Sequence, residues 1–525
     1  MTVILGLEGT AWAASAAIFD STSDTINIET IPYLPTSGGL HPREAAEHMR
    51  KSLPTVIEKI IKELEMPPEA IAFSRGPGLG PCLRLCATAA RALSGTLNVP
   101  LIGVNHMLAH LEVGRHFSGY ASPVCLNASG ANAHLLGFHN DYYRILGETM
   151  DTGVGNALDK FARHVGWAHP GGPKIEQVAL EGSFFDLPYV VKGMDFSFSG
   201  LTTAAITAYD QGRPIEDVCF SLQETIFSIL AEVSERALSL LQCNEFLLGG
   251  GVGNNARLQE ILEIMCTNRG VDFFTPEPRF LSDNAGMIAI LGSHMFDVGD
   301  FIPIEDSHAL PHFRPDTVKV TWPVQSRNSC PLSQTTIQGS EALVEFHSDT
   351  VCKKRVRKSY RNSAMDRRLR RQRTNAEARL THEARKIGIP TPIIKEIDPV
   401  DFIIKFQKVG DLDLSEALTQ HRVECVMRHL SKLHSFGIVH GDPTTRNIRV
   451  DSTSNQVYLI DFGLGFHTDN IEDYAMDIHI FKESLVGTAT NYEQLWCHAE
   501  SIYGEEGDPH VLTRLKEIEL RGRYL

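Results

Sequence analysis

Apolar residues near the start of the chain fall into two pairs of short segments, each pair separated by a turn of small residues. Residues 3–11 and 14–18 form the first pair, and residues 124–132 and 134–138 repeat it about 120 residues later. Short apolar segments on either side of a tight turn predict β-hairpins. Their repetition predicts a duplicated α/β lobe, with turns at which backbone N–H groups can approach a phosphate closely.

Between the two hairpins, the apolar positions change to a helical period. Residues 42–64 and 82–97 predict two helices, and residues 70–73 predict a buried strand. The segment 74–81 between them is rich in glycine, which costs conformational entropy unless the backbone needs it. We therefore expect this segment to be a loop whose backbone conformation matters, rather than one shaped only for packing.

A short apolar strand at 100–104 leads directly into a helix that carries His106 and His110. Residues four apart lie on one face of a helix, so both imidazoles can bind one metal ion, although two histidines near a surface are the alternative. Met107 stands where the H-E-x-x-H motif of zinc peptidases has its glutamate, so peptide hydrolysis by that route lacks its base. Asp283 begins a later apolar helix, either as its N-cap or as a third metal ligand.

Glycine loops with polar residues follow the second hairpin. Asp159 and Glu176 lie beside two such loops, where carboxylates suit ribose hydroxyls, although solvated carboxylates are commoner. A buried strand at 246–249 then ends in a glycine turn before Asn255, at a predicted helix N-terminus, which is a usual place for a nucleotide.

A polar stretch at 326–336 separates two regions of different pattern. A chain of 525 residues exceeds what one hydrophobic core usually supports. We therefore predict a domain at 1–325, a linker at 326–336 and a second domain at 337–525.

The second region carries polar residues in the order of a protein-kinase site. Asn447 follows Asp442 by five residues, and a predicted strand ends in a D-F-G sequence that begins at Asp461. In kinases the first aspartate is the catalytic base, and the asparagine and second aspartate bind Mg²⁺. Because each residue has a separate task on ATP, their combination predicts an ATP site.

Composition narrows the class of protein. The chain is 42% hydrophobic and 22% charged, and it has neither a long uncharged apolar segment nor a basic N-terminal signal. We expect a soluble cytoplasmic protein that does not contact a membrane. The ten cysteines include no C-x-x-C pair and predict buried thiols rather than disulfides or a zinc cluster.

The net charge of −15 gives no overall attraction to nucleic acid, so any RNA contact needs a local basic patch. Residues 353–373 hold eleven Lys or Arg against the single acidic residue Asp366. The usual interpretation of such a run is a solvated basic helix, and guidance of tRNA is the alternative.

Specific motifs run through nearly the whole first region: 8–11, 41–46, 74–81, His106 with His110, Asp159, 169–173, 197–201, 250–252 with Asn255, and 283–284. On these motifs the region resembles the catalytic subunits of the universal tRNA threonylcarbamoyladenosine synthase family. The region from about Thr336 onward resembles the small atypical Ser/Thr kinase of the archaeal and eukaryotic KEOPS complex. The whole chain looks like the archaeal fusion of the two.

The resemblance implies the α/β fold class: a duplicated actin-like (ASKHA, ribonuclease H-like) ATPase fold in two lobes, followed by a small protein-kinase-like α+β domain. It implies that His106, His110 and Asp283 bind one divalent metal, with Fe²⁺ favoured over Zn²⁺. The residues implied to line an adenylate are Asn127, Ala128, Ser129, Gly130, Ala131, Asp159, Gly172, Glu176 and Asn255.

The implied reaction transfers threonylcarbamoyl from threonylcarbamoyl-AMP to the adenosine 3′ of the anticodon in tRNAs that read codons beginning with A. Other KEOPS subunits are the implied partners. A divalent ion can act as a Lewis acid on phosphate and carbamoyl oxygens, while glycine-turn N–H groups neutralise the leaving AMP. Archaeal members often present a tyrosine to the metal where this chain has Asn127, which can still offer a carbonyl oxygen as a further ligand.

The kinase resemblance implies ATP and Mg²⁺ as cofactors. Lys353 would hold the phosphates and pair with Glu377, Asp442 would be the catalytic base, and Asn447 and Asp461 would bind Mg²⁺. A degenerate glycine loop would cover ATP with Gly339, Ser340, Glu341 and Ala342. No A-P-E segment follows, and the short remainder leaves little room for a substrate lobe, so ATP hydrolysis is as plausible as phosphorylation of a protein.

Three other functions stay open from the residues alone. They are a Ser/Thr kinase with an inactive nucleotide-binding partner domain, a metallopeptidase, and an ATP-gated scaffold. Met107 argues against the peptidase, and the scaffold is favoured if the Asn127 site binds no metal. Because glycine turns, the histidine pair and Asp283 all suit one adenylate-plus-metal site, the tRNA-modifying bifunctional enzyme is the preferred hypothesis.

Overall fold

A computed structural model describes residues 2–33, 41–64, 66–324 and 336–521. The predicted linker at 326–336 lies outside these residues except for Thr336, which begins a strand. The domain bounds drawn on either side of the linker therefore stay predictions.

The first lobe is built on a five-stranded sheet. In chain order it contains β1 (Val3–Glu8), β2 (Ala13–Asp20), β3 (Thr25–Pro32), α1 (Pro42–Lys62), β4 (Ala70–Gly76), α2 (Gly80–Leu97), β5 (Leu101–Asn105) and α3 (His106–Ser118). The strand order is β3-β2-β1-β4-β5, with the first three strands antiparallel and the last two added parallel to β1. The predicted first hairpin, helices and buried strand are confirmed to within a few residues.

The second lobe begins at the second predicted hairpin. In chain order it contains β6 (Val124–Ala128), β7 (Ala133–His139), β8 (Tyr142–Glu148), α4 (Val154–His164), α5 (Gly172–Ala179), β9 (Val191–Lys192), β10 (Asp195–Phe196), α6 (Ser199–Asp210), α7 (Ile215–Leu241), β11 (Glu245–Gly249), α8 (Ala256–Arg269) and β12 (Asp272–Phe274). Its sheet order is β12-β11-β6-β7-β8, again an antiparallel three-stranded meander extended by two parallel strands. The predicted duplication is confirmed, since the two sheets share one topology.

Two further helices, α9 (Pro278–Leu281) and α10 (Ala285–Asp297), return the chain to the first lobe. A Cβ atom on Gly6 of β1 would lie 2.5 Å from the carbonyl oxygen of Ala285, so this close packing requires glycine. The side chain of Asn284 caps α10 by accepting a hydrogen bond from the N–H of Met287. The alternative role of Asp283 as the N-cap is therefore wrong, and its carboxylate is left for other contacts.

The C-terminal region combines an antiparallel sheet with a mainly helical part. In chain order it contains β13 (Thr336–Gln338), β14 (Leu343–Phe346), β15 (Thr350–Lys354), α11 (Ser363–Lys386), β16 (Ile394–Asp398), β17 (Ile403–Gln407), β18 (Leu412–Asp413), α12 (Gln420–Ser435), β19 (Ile438–Val439), β20 (Ile448–Val450), β21 (Val457–Leu459), β22 (Phe466–His467), α13 (Ile471–Thr488), α14 (Tyr492–Glu506) and α15 (Pro509–Arg521). The five-stranded sheet has the order β13-β14-β15-β17-β16. Helix α11 carries Glu377, the predicted partner of Lys353.

The C-terminal region packs against helix α7 of the second lobe. Tyr360 is 1% exposed and belongs to the same apolar cluster as the core of that lobe. The N–H of Gly193 donates a 3.1 Å hydrogen bond to the carbonyl oxygen of Gly441, beside the predicted catalytic base. The two regions are thus connected by buried contacts as well as by the covalent chain.

Two sequence-based expectations concern membranes and thiols. Within the part of the chain that the structure describes, none of the helices combines the length and apolar character of a membrane span. The nine described cysteines are free thiols, and six of them are buried, as the sequence predicts.

Candidate functional site

The three side chains predicted to bind a metal meet at one point. His106 Nε2 lies 3.5 Å and His110 Nε2 lies 3.4 Å from Asp283 Oδ1, and one ligand atom from each residue lies within 4.8 Å of the others. Helix α3 starts directly after β5, so its first turns point both imidazoles toward the start of α10. Two imidazoles and a carboxylate are a donor set that suits Fe²⁺ or Zn²⁺. The residues present therefore fit a divalent metal.

A fourth group, Glu8, supports this cluster and was not singled out from the sequence. Its Oε2 lies 3.0 Å from His106 Nδ1, and its Oε1 accepts hydrogen bonds from the N–H and hydroxyl of Thr10 at 2.7 and 2.5 Å. Glu8 is completely buried at the end of β1. The sequence did contain a signal for Glu8. It is a charged residue at the end of an otherwise apolar strand, and a carboxylate that is buried there needs a partner.

Electrostatics at the cluster favour a positive charge. Burial opposes a charge on His106, but the carboxylates of Glu8 and Asp283 raise its pKa to about 10. Burial lowers the pKa of His110, and His106 lowers the pKa of Asp283 against the effect of burial. A divalent ion can supply the positive charge that these carboxylates favour, in place of a proton on His106.

Asn127 lies beside this cluster at the end of β6. Its amide nitrogen is 3.6 Å from the sulfur of Met107, and its buried Oδ1 has no hydrogen-bond partner among the described residues. A Cβ atom on Gly250, which has φ +84°, would lie 2.5 Å from that oxygen. The amide oxygen is available to a ligand, and its role as a further metal ligand stays a prediction.

The predicted phosphate turn at residues 127–131 is fixed against the N-terminus of α4. The N–H groups of Gly155 and Asn156 donate to the carbonyl oxygens of Ser129 and Gly130 at 3.2 and 2.9 Å. A Cβ atom on Gly155 would lie 2.7 Å from the Cα of Gly130, so glycine is needed where the two segments touch. The turn, including Ala128 and Ala131, therefore has a defined backbone shape.

The other predicted adenylate residues connect the helices around this turn. Asp159 accepts a 2.6 Å hydrogen bond from the N–H of Gly171, immediately before Gly172 at the start of α5. Glu176 accepts from the N–H of Ala256 at 2.8 Å. Asn255 caps α8 and donates to Gln223 of α7 at 3.2 Å. Each side chain has a structural contact, and their contacts with a nucleotide stay predictions.

The predicted kinase residues form one connected group in the C-terminal region. Lys353 Nζ lies 2.8 Å from Glu377 and 2.6 Å from Asp461, while Asn447 Nδ2 lies 2.9 Å from Asp442 Oδ2. Burial opposes ionisation of Asp461, but Lys353 and its neighbouring cations lower its pKa to about 2. Burial raises the pKa of Asp442. The Lys353–Glu377 pair, with Asp461 beside it, matches the arrangement of kinase ATP sites, and binding of ATP and Mg²⁺ here stays a prediction.

One cation of this group was missed from the sequence. Arg355 is 2% exposed, and its guanidinium lies 2.6 Å from Glu377, the partner of Lys353.

The loop at residues 339–342 is closed by a 2.9 Å hydrogen bond from the N–H of Gly339 to the carbonyl oxygen of Ala342. Ser340 and Glu341 lie within this loop.

The basic segment 353–373 is not the solvated helix expected from its composition. Buried cations of this segment bind acidic residues of α7: Lys358 lies 2.6 Å from Glu235, and Arg361 lies 2.6 Å from Glu232. Arg373 lies 2.9 Å from Glu232 as well. Their acidic partners precede them by more than 120 residues. Part of the run therefore forms an interface between the two regions, while Lys354, Arg357, Arg367 and Arg371 are exposed.

Comparison with known proteins identifies both regions. The family described as tRNA N6-adenosine threonylcarbamoyltransferase matches residues 23–290, and the phosphotransferase enzyme family matches residues 363–508. A protein of Haloquadratum walsbyi is 58% identical over 99% of this chain and 99% of its own length, and one of Haloarcula marismortui is 56% identical over 99% and 100%. Both are named bifunctional tRNA threonylcarbamoyladenosine biosynthesis proteins.

One solved structure shows a weaker likeness. The crystal structure of T. kodakarensis HypF matches over 58% of this chain and 49% of its own, with 14% identity and a TM-score of 0.44.

Proposed function

The chain belongs to the family of bifunctional tRNA threonylcarbamoyladenosine biosynthesis proteins, and we propose that it transfers threonylcarbamoyl at the site formed by His106, His110 and Asp283. It is an enzyme that joins an actin-like threonylcarbamoyltransferase region to a kinase-like region. The relatives do not support the two alternatives, a kinase with an inactive partner domain and an ATP-gated scaffold. Family membership implies tRNA and ATP-related substrates, a divalent metal and Mg²⁺.

The substrates are threonylcarbamoyl-AMP and tRNAs that read codons beginning with A. The exocyclic amine of the adenosine 3′ of the anticodon bonds to the carbamoyl carbon, the bond from that carbon to the phosphate oxygen breaks, and AMP leaves as the amine loses a proton. N–H groups of the turn at 127–131 are suited to the phosphate of AMP. Asp159, Gly172, Glu176 and Asn255 are the proposed contacts to its adenosine.

The convergence of His106, His110 and Asp283 is the observation that carries this proposal. When bound there, a divalent ion, Fe²⁺ in preference to Zn²⁺, supplies Lewis-acid stabilisation of phosphate and carbamoyl oxygens. The two imidazoles and the carboxylate hold it, and Glu8 fixes the orientation of His106. Asn127 is a further proposed ligand through its free amide oxygen.

The test is transfer to an unmodified tRNA of this class. The purified chain receives pre-made threonylcarbamoyl-AMP and the other KEOPS subunits, which are its proposed partners. We expect wild-type chain to form the modified nucleoside and the His106→Ala/His110→Ala variant to lose this activity. His116→Ala is the matched control, because His116 lies on the same helix but pairs with Asp24. Transfer that is indifferent to His106 and His110 refutes the proposed site.

We propose that the C-terminal region hydrolyses ATP and so drives or regulates the cycle. Lys353 holds the phosphates and is positioned by its ion pair with Glu377. Asp442 takes the proton of the attacking group, and Asn447 and Asp461 bind Mg²⁺. Hydrolysis rather than protein phosphorylation is favoured because Arg236 and Gly193 of the N-terminal region contact Asp442 and Gly441, where a protein acceptor would have to bind. The test is the release of phosphate from ATP. We expect the wild-type chain to release phosphate and the Lys353→Ala variant to lose this activity.

The proposed cellular location is the cytoplasm. Free thiols at all nine described cysteines fit a reducing compartment, where tRNA is also found.

A further inference from the structure

Arg236 belongs to helix α7 of the N-terminal region, but its guanidinium lies in the ATP site of the C-terminal region. Nη1 lies 2.8 Å from Asp442 Oδ2, and Nη2 lies 2.8 Å from Glu341 Oε1 and 3.1 Å from Glu232 Oε1. Arg236 is only 7% exposed. Arg236 thus contacts both the glycine loop and the catalytic base. Two surfaces can dock without a buried cation in this position.

Two of the three acidic contacts of Arg236, Glu341 and Asp442, lie on either side of the place expected for the terminal phosphate. In phosphoryl-transfer sites this phosphate lies below the glycine loop and between the catalytic base and the Mg²⁺ ligands. Glu341 belongs to the loop, and the oxygen of Asp442 that Arg236 contacts also accepts from Asn447 at 2.9 Å. The guanidinium therefore lies beside the place that a transferred phosphoryl group takes in such sites.

Backbone contacts hold the N-terminal region in register with this site. The N–H of Gly193 donates to the carbonyl oxygen of Gly441 at 3.1 Å, and Arg269 donates to the carbonyl oxygen of Gly339 at 3.2 Å. The catalytic loop and the glycine loop are thus both held by residues of the N-terminal region. A charged group on a long buried helix, held in this way, is preorganised and needs little reorganisation during reaction.

We propose that Arg236 is a catalytic arginine that the N-terminal region supplies to the ATP site of the C-terminal region. The inference rests on the proposed ATP hydrolysis. In that step a water oxygen bonds to the terminal phosphorus, the bond from this phosphorus to the bridging oxygen breaks, ADP leaves, and the water proton passes to Asp442. The guanidinium of Arg236 donates N–H groups to the oxygens of the transferring phosphoryl group and stabilises its charge.

The proposal makes ATP hydrolysis depend on the docked arrangement of the two regions. Helix α7 also carries Gln223, which accepts a hydrogen bond from Asn255 beside the proposed adenylate. Thirteen residues separate Gln223 from Arg236 on one continuous helix, a distance of about 20 Å. One rigid element thus contacts both proposed nucleotide sites.

The test compares full-length wild type with Arg236→Ala in two assays. We expect kcat for ATP hydrolysis to fall about 10²-fold or more in the variant, with KM for ATP changed less than about threefold. We also expect the variant to bind ADP normally but to lose about the same factor in affinity for ADP with aluminium fluoride, a mimic of the transferring phosphoryl group. Guanidinium ions at non-denaturing concentration should restore part of kcat.

Glu235→Gln is the matched control, because Glu235 precedes Arg236 on α7 and contacts Lys358 and Tyr360 of the same interface. It should keep both wild-type kcat and wild-type affinity for ADP with aluminium fluoride. Equal losses of kcat and of affinity in both variants would show that Arg236 acts only as an interface residue. Faster hydrolysis by Arg236→Ala, or unchanged affinity for ADP with aluminium fluoride, would refute the catalytic role of Arg236. Neither result would refute the proposed ATP hydrolysis. Absence of phosphate release by wild type would instead refute the proposed hydrolysis.

Discussion

Glu8 and His106, on β1 and α3 of the first lobe, form a buried carboxylate–imidazole pair with 3.0 Å between Oε2 and Nδ1. The other carboxylate oxygen is occupied by Thr10, so Glu8 has a single orientation. A histidine whose Nδ1 is held in this way directs Nε2 at the ligand site, and the negative partner increases its basicity. The pair therefore links the glycine turn of the first hairpin to the proposed metal site.

The first prediction follows from this pair. Glu8→Gln keeps the size of the side chain but removes its charge, so His106 becomes a weaker ligand. We expect affinity for Fe²⁺ or Zn²⁺ to fall about 10- to 100-fold, as measured by metal titration of the apo-protein. Thermal unfolding of the apo-protein serves as the control for folding. Unchanged affinity in a folded variant would show that Glu8 has no part in metal binding.

The second prediction concerns the carboxylate that is predicted to bind the metal directly. Asp283→Asn should weaken metal binding about 10-fold or more, because a neutral amide replaces the carboxylate that lies near both Nε2 atoms. Metal content after dialysis, measured by mass spectrometry, reports the loss. Asp24→Asn is the matched control, since Asp24 pairs with His116 at the surface of the same lobe. Equal metal content in both variants would contradict the proposed ligand set.

The third prediction concerns the interface between the two regions. Glu232 is 1% exposed and contacts Arg236, Arg361 and Arg373. Glu232→Ala leaves these buried guanidinium groups without their shared carboxylate, and we expect a loss of about 3–5 kcal/mol in the free energy of unfolding. Denaturant unfolding measures it. Glu260→Ala removes a surface carboxylate from α8 and should have no measurable effect, so similar losses in both variants would argue against a special role for Glu232.

The fourth prediction is a dependence of stability on pH. Burial raises the pKa of Asp195 to about 7, and burial with neighbouring carboxylates raises that of Glu483 to about 8. An acid whose pKa is raised by folding binds its proton more tightly in the folded state, so the protonated form stabilises the fold. This stabilisation is full below the unfolded values of 3.8 and 4.5 and is lost as the pH rises through about 7 and 8.

The measurement is the free energy of unfolding between about pH 6 and pH 9. We expect it to fall with rising pH in wild type and to fall less in Asp195→Asn/Glu483→Gln, which cannot ionise at these positions. The charged groups that act on the two acids are Glu148, Lys192, Asp316, His479 and Lys482. A wild-type slope of the opposite sign, or one unchanged by the double substitution, would contradict the prediction.

The fifth prediction compares two adjacent glycines. Gly250 has φ +84°, and its added Cβ atom would lie 2.5 Å from both Asn127 Oδ1 and the carbonyl oxygen of Ala128. Gly250→Ala should therefore cost about 2 kcal/mol or more in stability and disturb the turn beside Asn127. Gly251→Ala is the control, because no atom of the described residues lies within 4 Å of its added Cβ. Equal stability of the two variants would contradict the proposed strain.

Much of the fold could be predicted from local patterns. Short apolar segments on either side of a turn of small residues located both hairpins, and the helical period located α1 and α2 to within a few residues. The four-residue spacing of His106 and His110 is enough to place both imidazoles on one face of α3. The order of Asp442, Asn447 and Asp461 predicts an ATP site, which stays a prediction. The hairpins, the helices and the shared face of the two histidines depend on neighbours in sequence, so the sequence alone determines them.

Other features depended on which distant elements come together. Asp283 reaches His110 across 173 residues, Glu8 reaches His106 across 98, and Arg236 reaches Asp442 across 206. A period shows which face of an element is apolar but not which element covers that face. The basic segment 353–373 was expected to be solvated because its acidic partners lie on α7, far away in the sequence. Only the tertiary structure brought these charges together and buried them.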